Sequence, residues 1–170
     1  MTISEMLLPE FDREMACTRR CLERVPEDKL AWKPHAKSMT LSQLAGHVAE
    51  IPGLGLAALK SPVLDFAARP GGYKPPVVES REQLIDSFDK LIAETRAAIA
   101  ETGDTQWAEK WKMCAGDRVF FNGLRYMAVR AVMLNHLIHH RAQLGVYLRL
   151  ADVPVPSIYG PSADEGPAGG

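Results

Sequence analysis

Four stretches of this chain carry apolar side chains at three-to-four spacing, and that periodicity constrains the fold more than any other feature. The first covers residues 4–24, with Leu7, Leu8, Phe11, Met15, Thr18 and Leu22 in one stripe. The second opens at Thr40, where Thr40 and Gln43 form a capping-box pattern, and carries Leu41, Leu44, Val48 and Ile51. Pro52 and Gly53 predict a bend, after which residues 54–60 continue the helix. The third begins at Ser80, with Gln83 completing another capping box, and presents Leu84, Phe88, Leu91, Ile92, Thr95 and Ile99 to a core. The fourth, capped by Asn122, runs to Ala151 with Leu124, Met127, Val129, Met133, Leu137, Leu144 and Leu148 along it. Four amphipathic helices need partners for their apolar faces. An all-α four-helix bundle is the economical solution, and such bundles build metal sites from inward-facing side chains.

The connections are less regular. Val25-Pro26-Glu27-Asp28 ends the first helix, and Leu30-Ala31-Trp32-Lys33-Pro34 reads as an extended connector, because a residue before proline is pushed out of the α region. Residues 61–79 hold Pro62, Pro70, Gly71, Gly72, Pro75 and Pro76 and read as one long loop, a candidate lid or partner surface. Before the last helix, Trp107, Glu109, Trp111 and Met113 alternate with Ala108, Lys110 and Lys112. Cys114-Ala115-Gly116-Asp117 resembles a turn and Arg118-Val119-Phe120-Phe121 follows, which predicts a small two-stranded hairpin. One domain over residues 4–160 is expected, with a disordered tail over 161–170.

Composition narrows the function classes. At 170 residues, 46% apolar and 24% charged, the chain can bury a real core. Its net charge is −1, with 20 basic and 21 acidic residues and no basic stripe, which argues against nucleic-acid binding. The N-terminus lacks a signal-peptide pattern and no apolar run is long enough to span a membrane, so the expected compartment is the cytoplasm. Cys17, Cys21 and Cys114 are an odd set without a secretory signal, which argues against a disulfide framework. Cys17 and Cys21 read as small apolar residues of the first helix.

The chemistry concentrates in Asn135-His136-Leu137-Ile138-His139-His140-Arg141-Ala142-Gln143. Residues four apart share a helix face, so His136 and His140 project side by side, near enough to reach one divalent cation. His47 lies on the second apolar helix. Three unpartnered imidazoles in one core would be costly, and a shared cation removes the cost for all three while leaving open coordination positions. Leu137 follows His136, so the glutamate of a zinc-protease HExxH helix is absent. His139 points about 100° away from His140 and reads as a surface, interface or supporting group. His35 reads as surface. Glu50, one turn from His47, and Gln143, one turn from His140, are candidates for a base and for a supporting hydrogen bond, each with a solvated helix residue as the alternative.

Leu30-Ala31-Trp32-Lys33-Pro34, the run Thr40-Leu41-Ser42-Gln43-Leu44-Ala45-Gly46-His47, the His136-to-Leu144 segment with Tyr147-Leu148-Arg149, and the Val153-to-Gly160 segment resemble the DinB-like (DinB/YfiT) metal-binding four-helix-bundle family. The resemblance covers roughly residues 4–160, and its specific part is His47 combined with His136-x3-His140. It implies metal ligation by His47, His136 and His140, one divalent metal (zinc or nickel foremost), and a homodimer. Characterised relatives include transferases and isomerases that use low-molecular-weight thiols, and many relatives have no known substrate. The expected function is a metal-dependent enzyme that activates a small thiol, or water, against a small-molecule substrate. The alternatives are a metal-dependent hydrolase, a non-catalytic metal-binding or stress-related bundle, and an interaction bundle without metal.

Overall fold

The computed structural model describes residues 1–68, 71–74 and 76–166. Helix α1 spans Ile3–Leu22 and starts at a full capping box: the Thr2 hydroxyl accepts from the Glu5 amide, and the Glu5 carboxylate accepts from the Thr2 amide. Helix α2 spans Leu41–Glu50 and begins at the Thr40–Gln43 box. Pro52 opens α3, Pro52–Lys60, where its missing N–H costs nothing, so the expected bend is a break between two short helices. Helix α4 spans Arg81–Glu101. At its start the capping box is only half made: Ser80 Oγ accepts from the Gln83 amide, but the Gln83 side chain accepts from Glu79 rather than from Ser80.

The last helix departs most from expectation. Asn122 does not cap it, because Asn122 lies inside a strand; helix α6 opens at Arg125, spans Arg125–Ala128 and has no side-chain cap. A π-helical stretch, Val129–Asn135, follows and passes directly into α7, His136–Leu150. The wider π turn changes the phase of the side chains. Leu124, which ends β3, and Met127 of α6 are exposed, while Val129, Met133, Leu134 and Leu137 are fully buried.

The connector after α1 begins in a turn rather than extended. Glu27–Lys29 form a 3-10 turn and Leu30 is in the α region. The turn directs the carbonyls of Leu30 and Trp32 at the first amides of α2 (Ser42, 2.9 Å; Leu41, 2.8 Å), supplying partners that a helix start lacks. Residues 61–79 are not one loop either. Val63–Asp65 form strand β1 and Phe66–Ala68 a 3-10 turn. Short helix α5, Asp104–Trp107, leads into β2, Lys110–Ala115, and β3, Arg118–Leu124. The expected hairpin is thus part of a three-stranded sheet in the order β1-β2-β3, with β1 parallel to β2 and β2 antiparallel to β3. Gly116, with φ 59°, takes the first position of the two-residue turn. Met113 pairs with Phe121 and Cys114 with Val119, so Phe120 is the extra residue of a β-bulge.

The helices enclose a core of Leu7, Phe11, Leu22, Leu44, Phe88 and Ile99, closed at one end by Trp107, whose indole N–H donates to Ser4 Oγ at 2.9 Å. The tail expected to be disordered is held through Gly166. Glu165 pairs with Arg20 (2.6 Å) and Arg24 (2.5 Å), and Ser157 Oγ donates to the Glu165 and Gly166 carbonyls. Residues 167–170 lie outside the described residues. Among the described residues no helix is long and apolar enough to cross a membrane.

A candidate metal centre beside an apolar cavity

His47 stands in the last turn of α2, and His136 and His140 stand one turn apart at the start of α7. The fold brings all three together: one ring nitrogen from each lies within 4.8 Å of the others. The Nε2 atoms of His47 and His136 are 3.4 Å apart. Ring centroids are 4.5 Å apart for His47 and His140, and 4.6 Å for His136 and His140.

What happens on the far side of each ring decides what the cluster can do. Nδ1 of His47 is 2.9 Å from Glu50 Oε1, and Nδ1 of His140 is 2.7 Å from Gln143 Oε1. An acceptor at Nδ1 fixes that nitrogen as the protonated one and leaves the Nε2 lone pair directed inward. Burial pushes the pKa of His136 below the usual histidine value; the neighbouring His47 adds to this, and a hydrogen bond to the Val132 backbone opposes it. Burial likewise pushes His140 down to about 4. These rings are neutral at physiological pH, which is the ligating form. Three convergent imidazoles with outward supporting acceptors fit a divalent cation of the zinc or nickel type, with positions left for exogenous ligands.

The remaining candidates fall into place around this cluster. Glu50 supports His47, and Gln143 supports His140. His139 is exposed and stacks edge-on against His140, with centroids 4.8 Å apart. His35 is exposed in its loop. Arg141 turns away from the cluster and is buried against α1, where it pairs with Glu14 at 2.7 Å. Cys17, Cys21 and Cys114 are free thiols outside the cluster.

Two members of the cluster, His47 and His136, line a cavity of about 700 Å³. His47, Glu50 and His136 line one end, and Leu54, Leu64, Phe66, Met113 and Phe120 line the rest. Tyr73 stands between the two regions: its hydroxyl donates to Glu50 Oε1 and lies 2.9 Å from His47 Nδ1. Neither Tyr73 nor the aromatic wall is legible from helical periodicity. The available signal was an aromatic residue in a long Pro/Gly-rich connection, where side chains are free of core packing.

A sequence model of the DinB superfamily matches residues 10–144. The chain belongs to this superfamily. It is 26% identical over 160 residues to the uncharacterized protein YrdA of Bacillus subtilis (strain 168), covering 93% of this chain and 89% of YrdA. Its fold matches a DinB-like protein from Bacillus cereus ATCC 10987 with a TM-score of 0.71 at 21% identity, over 91% of this chain and 97% of the other. A DinB-like protein of Bacillus subtilis, YjoA, matches with a TM-score of 0.67 at 18% identity, over 90% of this chain and 96% of the other. These likenesses agree with the helical bundle and its small sheet, and the histidine cluster of a DinB protein is compatible with metal binding.

Proposed function

We propose that this DinB protein is a metal-dependent enzyme in which His47, His136 and His140 hold one divalent cation, and that it activates a small thiol for transfer to an electrophile. The observation that carries the reading is the convergence of three supported imidazoles, two of which line an apolar cavity. A purely structural site would be closed by a fourth protein ligand, and among the described residues the metal-competent group is these three histidines. A divalent cation bound there supplies Lewis acidity, which lowers the pKa of a thiol or of water toward neutrality.

The protein's own residues do the rest. Glu50 keeps His47 in the tautomer that presents Nε2 and adds negative charge behind the ring. Tyr73 holds Glu50 in place from the other side. The apolar wall limits competing water and suits a thiol, which is weakly hydrated and packs as a small hydrophobe. Three free cysteines are consistent with the reducing cytoplasm that such thiol chemistry requires.

Hydrolysis is the second reading, because Glu50 lines the cavity as a general base would. It ranks lower because Glu50 Oε1 is already shared by His47 and Tyr73. The test is elemental analysis of untagged protein, for wild type and for His47→Ala, His136→Ala and His140→Ala. About one zinc or nickel per chain, lost in each variant, is expected, followed by conjugation of a thiol to an electrophile in a screen of the loaded protein. Metal retained by His47→Ala would refute the three-histidine centre. Loaded protein that conjugates no thiol but hydrolyses esters or amides would move the assignment to hydrolysis.

A further inference from the structure

The wall of the cavity is more specific than apolarity alone requires. Phe66 and Tyr73 meet edge-to-face with centroids 5.7 Å apart, and Phe66 meets Phe120 in the same way at 6.3 Å. Three rings thus run in sequence from Tyr73, beside the histidines, to the outer rim. Met39 and Met113 add thioethers to the same cavity. Edge-to-face rings and polarizable sulfurs attract a further aromatic ring beyond what its buried area gives.

The fold takes specific steps to build this wall. Phe120 is the extra residue of the β3 bulge, which sends it into the cavity while Phe121 packs on Trp111. Bulges re-aim side chains in this way beside functional sites. Phe66 is set by Asp65, whose carboxylate accepts from the Ala67 amide at 2.9 Å and from the Gly116 amide at 3.0 Å, tying β1 to the hairpin turn. Met39 is held by its carbonyl, which accepts from Tyr147 Oη at 3.1 Å. Phe120 is 46% exposed at the cavity, with the Arg118 guanidinium 5.2 Å from its ring centroid, so its ring remains accessible to a ligand.

We infer that the substrate of this site carries an aromatic group, seated against the Phe66–Phe120 wall, with its metal-ligating head turned toward His47 and His136. An apolar cavity of about 150 Å³ takes a benzene ring, so about 700 Å³ leaves room for an aryl group, its linker and the head. The position of the head rests on the metal reading above; the aryl seat rests on the wall alone.

The test uses cobalt-loaded full-length protein and reads the sulfur-to-cobalt absorption band. Ethanethiol, phenylmethanethiol and cyclohexylmethanethiol are titrated in parallel. Burying a phenyl group is expected to make phenylmethanethiol about 30-fold tighter than ethanethiol, and the ring contacts to make it about 3-fold or more tighter than the cyclohexyl compound. Phe120→Ala and Phe66→Ala are expected to reduce the phenyl advantage about 5- to 10-fold and to leave ethanethiol unchanged. Equal binding of the phenyl and cyclohexyl thiols, or a phenyl advantage that survives both substitutions, overturns the inference. If the protein takes up no cobalt, the metal reading has failed by itself, and 2-naphthol fluorescence on the metal-free protein decides the aryl seat. Binding that weakens at least 5-fold in Phe120→Ala supports it, and no binding to wild type overturns it.

Discussion

His47 and Glu50 are three residues apart on α2, and their side chains meet at 2.9 Å. Supporting contacts of this kind orient metal-ligating imidazoles, and losing one typically weakens metal affinity 10- to 100-fold. Glu50→Gln is therefore expected to lower zinc affinity by about 10-fold or more, read by competition with a chromophoric chelator, with the fold unchanged by circular dichroism. An unchanged affinity would show that Glu50 does not support the ligand. The histidine pKa shifts give a second prediction. His136 and His140 have folded-state values below those of the unfolded chain, so the folded protein binds fewer protons in the window between them. Stability of the metal-free protein should be fully present above the ordinary histidine value and fall as the pH drops toward about 4. Urea unfolding at pH 7 and 4.5 checks the sign, and His140→Gln should flatten the slope; a metal-free protein more stable at pH 4.5 would contradict it.

At the level of elements, the sequence was most informative where periodicity and caps agreed. The Thr40–Gln43 box opens α2 as its pattern requires, and Leu41, Leu44, Val48 and Ile51 are all buried. His136 and His140 could be placed on one face because i,i+4 spacing survives in any helix. The misreadings have a common physical cause. β1 has three residues and gains its pairing from Lys112, Met113 and Cys114, nearly fifty positions away, so no local pattern marks it. Asn122 lost its expected capping role because β3 runs through it to Leu124, pairing with Lys112 of β2, and that pairing too is made outside the local pattern. Gly46 shows what close packing demands. A Cβ there would stand 2.7 Å from the Pro76 carbonyl oxygen, and Ser42, one turn earlier, exchanges hydrogen bonds with the Val78 backbone at 3.0 and 3.2 Å. At Gly53 the added atom would meet Leu91 at ordinary contact distance, 3.4 Å. Gly46→Ala should then destabilise by about 1–3 kcal/mol, whereas Gly53→Ala should be neutral or stabilising by up to about 1 kcal/mol through helix propensity. Denaturant midpoints of the two variants separate these outcomes; equal effects would remove the argument from close approach.

Across the whole molecule, α7 joins the histidine cluster to the C-terminal segment. One side of the helix presents His136 and His140 to His47, with His136 lining the cavity. On another, Arg141, next in sequence to His140, is 3% exposed and pairs with Glu14 of α1, itself 5% exposed. Arg141 also donates to the Glu14 carbonyl at 3.1 Å and to Tyr159 Oη at 2.8 Å, and Tyr159 Oη donates to the Glu14 carboxylate at 2.7 Å. Tyr159 thereby fastens the C-terminal segment over α1, and Glu165 continues the clasp. The sequence showed Arg141 and Tyr159 as residues but not as partners, because they meet across 18 residues of chain and a third element. Removing one member of a buried pair strands the other charge and costs about 3–5 kcal/mol, while replacing both with apolar residues of similar size is often neutral. Arg141→Met should accordingly lower unfolding free energy by about 3 kcal/mol or more. Glu14→Met combined with Arg141→Met should recover most of that loss. Metal binding in the double variant is expected to match wild type, since neither residue touches the histidines. A double variant as unstable as the single one would show that the cluster acts through its backbone and Tyr159 contacts rather than through the charge pair.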